Sequence, residues 1–303
     1  MPSQGYQYAS GRIAALHSKL PTELDVRNAS SGGLDNLVRL FAQAGLVDAS
    51  AKPDSVDALR NLCETRLRDE LDELCPDKRL FEVLWLDGDL INIKLLLKLR
   101  LMGLPLDSET LALGTVPDAE IKRAVEERDY SCFGDLQDAI LAVDTTVDKG
   151  GNIMAACASL DEMFISRQKA VSEKLGYAPV ASFYEAKAEY ADVMTVLRCL
   201  ALNIPKNTMY SLLIGPNKDK IIESYDSLPE ALVSMAPLNI QDYIKAYIND
   251  GDMYKLSAAV RDANTGSLSG SGYSLEGPAA LVAYVSKVRS LLTAISLKKE
   301  TRS

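Results

Sequence analysis

The segment NIKLLLKLRLMGLP (residues 92–105) recurs without a gap at residues 192–205 as DVMTVLRCLALNIP. The two copies share a base, a turn-forming residue and a proline in the same order. These are Lys98 and Arg198, Gly103 and Asn203, and Pro105 and Pro205. Glycine and asparagine favour the left-handed conformation that ends a helix, and a following proline prevents its continuation. The repeat therefore predicts two copies of one unit, each opened by a long apolar helix.

The spacing of apolar residues predicts helices through nearly the whole chain. Apolar residues recur at steps of three and four, and alternating strand patterns are absent from the sequence. The predicted helices cover residues 6–20, 34–46, 55–75, 79–102, 118–129, 134–147, 152–175, 183–203, 207–214, 218–225, 228–235, 239–249, 252–263 and 278–297. Gly88 is a candidate break within the helix over 79–102, and the Gly- and Ser-rich segment 264–277 predicts a flexible loop. The predicted fold is all-α.

The repeat also predicts the domain organisation. The start of the chain fits the same unit more loosely, and the last helix is similar to the opening helix of a further unit. We therefore expect a first helical repeat at 1–83, closed by the C-terminal helix 276–303. A second repeat is expected at 84–182, and a third, which includes the segment 264–277, at 183–275.

Composition excludes several classes of protein. The 303 residues include 33 bases and 42 acids, giving a net charge of −9, which disfavours a general nucleic-acid binder. The most apolar stretch, Leu90 to Leu104, is interrupted by Lys94, Lys98 and Arg100 and does not predict a membrane span. Residues 1–20 lack the apolar run of a secretory leader.

The rare reactive residue types limit the chemistry. A surface position near the end of the first helix explains the single histidine, His17, and one imidazole excludes a His-rich metal site. The five cysteines are Cys63, Cys75, Cys132, Cys157 and Cys199. Their odd number and the absence of a CxxC pair predict reduced thiols in a cytosolic protein. We predict no catalytic residue, no cofactor and no metal.

The acidic cluster 69–73 (DELDE) offers an alternative. In all-α isoprenoid synthases, aspartates spaced along a helix bind Mg²⁺ and a diphosphate. Asp69 and Asp72 have such a spacing, so an enzyme of that type is the alternative. An apolar stripe of leucines runs through the cluster, however. Nearby arginines are also placed for ion pairs at i+4, Arg66 with Glu70 and Arg68 with Asp72. These features favour a solvated helix face.

The repeated segments resemble the C subunit of V/A-type rotary ATPases, whose eukaryotic counterpart is the d subunit. Residues 85–105 match the "D..N(I/L)K..L+.K..G" helix of that family at Asp89, Asn92, Ile93, Lys94, Leu96, Leu97 and Arg100. Asp192, Leu197 and Arg198 match the next copy. The opening residues 6–20 and the closing segment from Glu276 through Tyr284 to Lys287 are also similar to that family.

The resemblance implies a funnel-shaped protein of three similar helical subdomains with pseudo-threefold symmetry. It implies a non-catalytic rotor part on the cytoplasmic face of the membrane. Its implied partners are the D and F subunits of the shaft and the membrane proteolipid ring. A helical-repeat adaptor unrelated to rotary ATPases remains an alternative.

If Arg100 or Arg198 is buried, it needs a carboxylate partner. Seven residues of the repeated helices are expected to shape the repeats or to contact partner subunits. The seven are Asp89, Asn92, Lys94, Lys98, Arg100, Asp192 and Arg198.

Overall fold

A computed structural model describes residues 5–106, 112–269 and 278–300, and for residues 265, 269 and 296–300 it describes the backbone only. Within these ranges every regular element is a helix and no strand occurs, so the all-α prediction is confirmed. The chain forms two compact units. Unit 1 comprises Met1–Trp85 and Leu268–Ser303, and unit 2 comprises Leu86–Ser267. The funnel shape, the pseudo-threefold symmetry and the three repeat boundaries stay predictions.

The α-helices are numbered in chain order. They are α1 (Tyr6–His17), α2 (Glu23–Ser31), α3 (Leu34–Gln43), α4 (Val56–Leu74), α5 (Lys78–Leu101), α6 (Asp118–Glu127), α7 (Gln137–Asp148), α8 (Ile153–Lys174), α9 (Ala178–Ala201), α10 (Lys206–Tyr210), α11 (Lys218–Glu223), α12 (Glu230–Met235), α13 (Gln241–Asp250), α14 (Met253–Ser269) and α15 (Ala279–Glu300). Short 3-10 turns lie at Ser131–Leu136, Tyr225–Ser227 and Leu238–Ile240.

In unit 1 the C-terminal helix α15 packs on α1, α2 and α4. Trp85 is fully buried, and the guanidinium of Arg289 lies 5.4 Å from the centre of its ring. Arg289 also donates to the carbonyl oxygen of Leu84 at 2.7 Å. The far end of the chain therefore completes the core that the first helices begin.

Unit 2 contains two apolar clusters. One joins α5, α6, α7 and α8 around residues such as Ile93 and Phe164. The other joins α9 to the short helices that follow it and to α14, around residues such as Val196 and Ile244. Helices α8 and α9 pack on each other along their lengths. Burial of these large apolar side chains is the main stabilising contribution to the unit.

Four helix predictions need correction. Helix α2 was not predicted, because Val26 is its only buried residue and it therefore lacks an apolar stripe. Helix α5 continues through Gly88, where the missing side chain leaves room for the carbonyl oxygen of Leu113. Helix α9 begins at Ala178, five residues before its predicted start, with a proline in its first turn.

The fourth correction concerns the predicted loop 264–277. Residues 264–269 continue helix α14, and buried Leu268 gives this last turn an apolar contact. Composition predicted a loop there because Gly and Ser have low helix propensity, a preference that packing overrides. Residues 270–277 lie outside the described residues.

Candidate functional site

The two repeated helices α5 and α9 end in the same way. Gly103 and Asn203 both have left-handed backbone angles, with φ values of 64° and 52°. The N–H of Leu104 donates to the oxygen of Leu99 at 2.9 Å, and the N–H of Ile204 donates to that of Cys199 at 2.8 Å. The helix stop predicted from Gly, Asn and the following proline is therefore confirmed in both copies.

Two predicted residues of α5 bind the segment that leads into α6. The buried Asp89 carboxylate accepts hydrogen bonds from the N–H of Thr115 at 2.9 Å, from its hydroxyl at 2.6 Å and from the N–H of Val116 at 3.1 Å. Buried Asn92 donates to the oxygen of Ala112 at 2.8 Å and accepts from its N–H at 2.7 Å. These bonds satisfy backbone groups that would be costly to bury unpaired.

Asp192 has the same role in α9. Its buried carboxylate accepts from the N–H of Ile214 at 2.7 Å and from the N–H of Gly215 at 2.9 Å. Burial raises the pKa of Asp192 to about 6, although the two N–H donors act in the opposite direction. Each repeated helix therefore uses a buried polar side chain to fix the segment that follows it.

Glycines make these contacts possible. A Cβ on Gly114 would lie 2.0 Å from Oδ1 of Asp89, and one on Gly215 would lie 2.7 Å from Oδ2 of Asp192. Any larger residue would push the backbone away from the carboxylate. The glycines that follow each repeat in the sequence are thus explained by close approach of backbone to side chain.

Arg100 has the carboxylate partner that its position predicted. It pairs with fully buried Asp144 of α7, lies 3.2 Å from Asp148, and donates to the oxygen of Val125 at 2.9 Å. Arg128 also contacts Asp144, at 3.1 Å. The cluster ties the end of α5 to α6 and α7.

Tyr130 completes this cluster by donating from its hydroxyl to Asp144 at 2.9 Å. Burial, and then the charge of Asp144, raise the pKa of Tyr130. The residues that join Arg100 were not predicted. The available signal was an acidic residue on the core-facing stripe of α7, where Ile140, Asp144 and Val147 are all buried.

Ion pairs connect helix α8 with its neighbours. Lys94 of α5 binds Asp161 of α8 at 2.8 Å, and Lys218 of α11 binds Glu162 of α8 at 3.1 Å. Because these groups are partly exposed, each pair contributes little to stability, on the order of 1 kcal/mol or less. The ion pairs instead restrict how each helix is oriented relative to its neighbour.

A further pair joins the two repeated helices directly. Lys187 of α9 binds Asp87 of α5 at 2.8 Å, and Gln168 of α8 donates to the same carboxylate at 3.0 Å. Three helices therefore meet at one partly buried carboxylate.

Lys98 and Arg198 differ from the other predicted residues. Both side chains are exposed, and neither forms an ion pair within the described ranges. Arg198 is therefore not buried as its apolar neighbours suggested, and it has no need of a carboxylate partner, since the helix turns this position toward solvent.

The acidic cluster of α4 lies on the solvent-facing side of the helix, and the opposite side is apolar and buried. Leu67, Leu71 and Leu74 are buried, and Glu70 pairs with Arg12 at 2.9 Å and with Arg66 at 3.7 Å. Asp72 pairs with Lys78, and Arg68 lies 5.8 Å from the centre of the Trp85 ring. No group of three acidic, histidine or cysteine side chains with metal-binding geometry occurs among the described residues.

Sequence comparison identifies the family. The family model for the ATP synthase (C/AC39) subunit matches residues 9–287, most of the chain. The chain belongs to this family. The resemblance to the family of the V/A-type ATPase C and d subunits is thereby confirmed. No curated protein matches the chain significantly in sequence.

Family membership has two consequences. First, it implies a central-stalk subunit of a rotary ATPase, in a family whose members are non-catalytic. Second, it contradicts the alternative of a helical-repeat adaptor unrelated to rotary ATPases. No described helix is both long and apolar enough to cross a membrane.

Proposed function

We propose that this chain is the central-stalk C subunit of a prokaryotic V/A-type rotary ATPase. It acts as a socket between the shaft, made of the D and F subunits, and the proteolipid ring in the membrane. In that position it transmits torque between ATP hydrolysis or synthesis and the transport of H⁺ or Na⁺. It lies on the cytoplasmic face of the membrane and contacts the membrane only through the ring.

The family match over residues 9–287 carries this proposal. The geometry of unit 2 supports it, because a torque adapter has to resist deformation rather than perform chemistry. Asp89, Asn92 and Asp192 fix the backbone that follows each repeated helix, and the Arg100–Asp144 cluster joins three helices. Buried, fully hydrogen-bonded polar groups of this kind rigidify a core.

Co-purification tests the assignment. An affinity tag on this chain is used to isolate complexes from gently solubilised membranes, and mass spectrometry identifies the partners. We expect shaft, catalytic and proteolipid subunits in one complex. A strain expressing the same tag on an unrelated cytosolic protein is the control. Recovery of the chain alone, or with cytosolic proteins only, would contradict the proposal.

The net negative charge of the chain suggests an electrostatic contribution to binding of the shaft. The net charge of −9 favours a basic shaft tip, and attraction between exposed charges weakens as salt shortens the screening length. Binding of purified D–F to this chain is therefore expected to weaken as the ionic strength is raised. An affinity that does not change with salt would rule out this electrostatic contribution.

A further inference from the structure

A pocket of about 420 Å³ in unit 1 is lined by residues of α1 and α4. That volume falls within the roughly 300–1,000 Å³ that is typical of small-molecule sites. The surface of the pocket is mostly polar, which favours a hydrophilic ligand over an apolar one. Its polar side chains are Tyr8 and Arg12 from α1, and Arg66, Asp69, Glu70 and Glu73 from α4.

The side chains of this pocket carry an excess of negative charge. Arg12 and Arg66 both pair with Glu70, at 2.9 Å and 3.7 Å. Asp69 and Glu73 form no ion pair or hydrogen bond among the described residues. Two bases against three acids favour a cationic ligand, and the two unpaired carboxylates are the groups that attract it.

Helix stability does not explain the two unpaired carboxylates. Asp69 and Glu73 are four residues apart on α4, and like charges at that spacing destabilise a helix. Glu73 also lies in the last turn of α4, which contains no base and where the helix dipole disfavours negative charge. A bound cation offsets both of these unfavourable effects.

The side chain of Tyr284, on α15, brings a further polar group to this pocket. It is 2% exposed and forms no hydrogen bond among the described residues. It interacts electrostatically with Glu70, Arg12 and Arg66, all of which line the pocket. Burial, and then the charge of Glu70, raise the pKa of Tyr284 to about 12, so the hydroxyl stays protonated at neutral pH. Because buried polar groups almost always have a hydrogen-bond partner, we expect the partner of this hydroxyl to bind in the pocket.

We propose that this pocket binds an aliphatic diamine or polyamine. Its ammonium groups pair with Asp69 and Glu73, whose spacing on the helix, about 5–6 Å between Cβ atoms, is matched by about four methylene groups. The ring of Tyr8, which is 77% exposed, is available for a cation–π contact, and the oxygen of Tyr284 for a hydrogen bond from an ammonium group. This inference goes beyond the proposed function and holds whether or not the chain couples a shaft to a ring.

Isothermal titration calorimetry of the full-length chain with spermidine tests the site. We expect saturable binding of about one ligand per chain, weakened about tenfold in Asp69→Asn and in Glu73→Gln, because each variant removes a charge-assisted hydrogen bond. Asp72→Asn is the matched control. It makes the same change of charge on the same helix, but Asp72 pairs with Lys78 and does not line the pocket, so this variant is expected to bind as the wild type does.

Other ligands define what the pocket recognises. We expect 1,4-diaminobutane to bind in competition with spermidine, and butylamine, which has one ammonium group, to bind about tenfold more weakly. Mg²⁺ and phosphate at the concentration of the diamine are expected not to displace spermidine. Butylamine that binds as tightly as the diamine, or phosphate that binds in place of the amines, would overturn the inference.

Tyr284→Phe separates binding from folding. The variant keeps the buried ring and removes only the unpaired hydroxyl, so the melting temperature without ligand is expected to stay the same or to rise. Its affinity for spermidine is expected to fall about fivefold, through loss of one hydrogen bond. A wild-type chain that shows no saturable binding would overturn the inference, as would an affinity that falls equally in Asp69→Asn and Asp72→Asn.

Discussion

Asn92 and Asp192 occupy the same position of two repeated helices and perform the same task with different chemistry. Asn92 both donates to and accepts from the backbone of Ala112, whereas Asp192 only accepts, from the N–H groups of Ile214 and Gly215. The amide is neutral at every pH, whereas the carboxylic acid titrates. At this one position, therefore, the α5 repeat has a neutral anchor, whereas the α9 repeat has an anchor whose charge changes with pH.

Asp192→Asn is expected to remove a pH dependence of stability. The folded-state pKa of Asp192 is raised from 3.8 to about 6 by burial, so the folded chain binds more protons than the unfolded chain between these values. The contribution of Asp192 to stability is therefore full below about pH 4 and is lost as the pH rises through about 6.

Urea denaturation of wild type and Asp192→Asn from pH 4 to pH 7 measures this effect. The difference in unfolding free energy between the two proteins is expected to change by at most about 3 kcal/mol, with the wild type losing stability as the pH rises. Comparing the two proteins removes the contribution of all other carboxylates. A difference that does not vary with pH would show that Asp192 ionises alike in the folded and unfolded chains.

Asn92→Asp tests the same site in the other repeat. A carboxylate at this position cannot donate to the oxygen of Ala112 and places an uncompensated charge in the core. We expect the free energy of unfolding to fall by about 3 kcal/mol at pH 7. Part of this loss is recovered at pH 4, where the protonated acid regains a donor. Asn92→Ala removes the same bonds without adding charge, and its loss of stability should be the same at both pH values.

Asp144→Ala is expected to be strongly destabilising. It leaves Arg100, Arg128 and the hydroxyl of Tyr130 without their shared acceptor, at a cost of about 3–5 kcal/mol. The matched variant Asp148→Ala removes a carboxylate that contacts the same arginines from the exposed edge of the cluster, and should cost about 1 kcal/mol or less. Equal melting temperatures for the two variants would contradict the central role of Asp144.

Gly88→Ala is expected to reverse the usual effect of alanine in a helix. Replacing glycine inside a helix normally stabilises it by about 1 kcal/mol. At Gly88, however, the new Cβ would lie 1.9 Å from the oxygen of Leu113, so the close packing has to open, at a cost of about 1–3 kcal/mol. Gly11→Ala in α1, where a new Cβ would meet no atom beyond the neighbouring backbone of its own helix, is the control and should stabilise the chain. Two variants that shift stability in the same direction would be inconsistent with this packing.

Local features of the fold were predictable from the sequence. The periodicity of three and four predicted most helices, and Gly103 and Asn203 predicted where α5 and α9 end. Helix α2 was missed although its start is signalled locally, by Thr22 and Asp25, which form a capping box. Its single buried residue left no apolar stripe for periodicity to detect.

Long-range pairing was not predictable from the sequence. The need of Arg100 for a carboxylate follows from its apolar surroundings, but its partner Asp144 is identified only when α7 packs beside α5. The same type of argument does not apply to Arg198, because this side chain faces solvent, which periodicity alone did not show.

The most direct test of the central claim is to measure coupling in inverted membrane vesicles prepared from cells that lack this chain. The account predicts that these vesicles neither accumulate H⁺ nor take up Na⁺ when ATP is added, while the detached catalytic part still hydrolyses ATP. Adding back the purified chain should restore ATP-driven transport of one of the two ions. Transport that is unaffected by loss of the chain would contradict the claim that it couples the shaft to the ring.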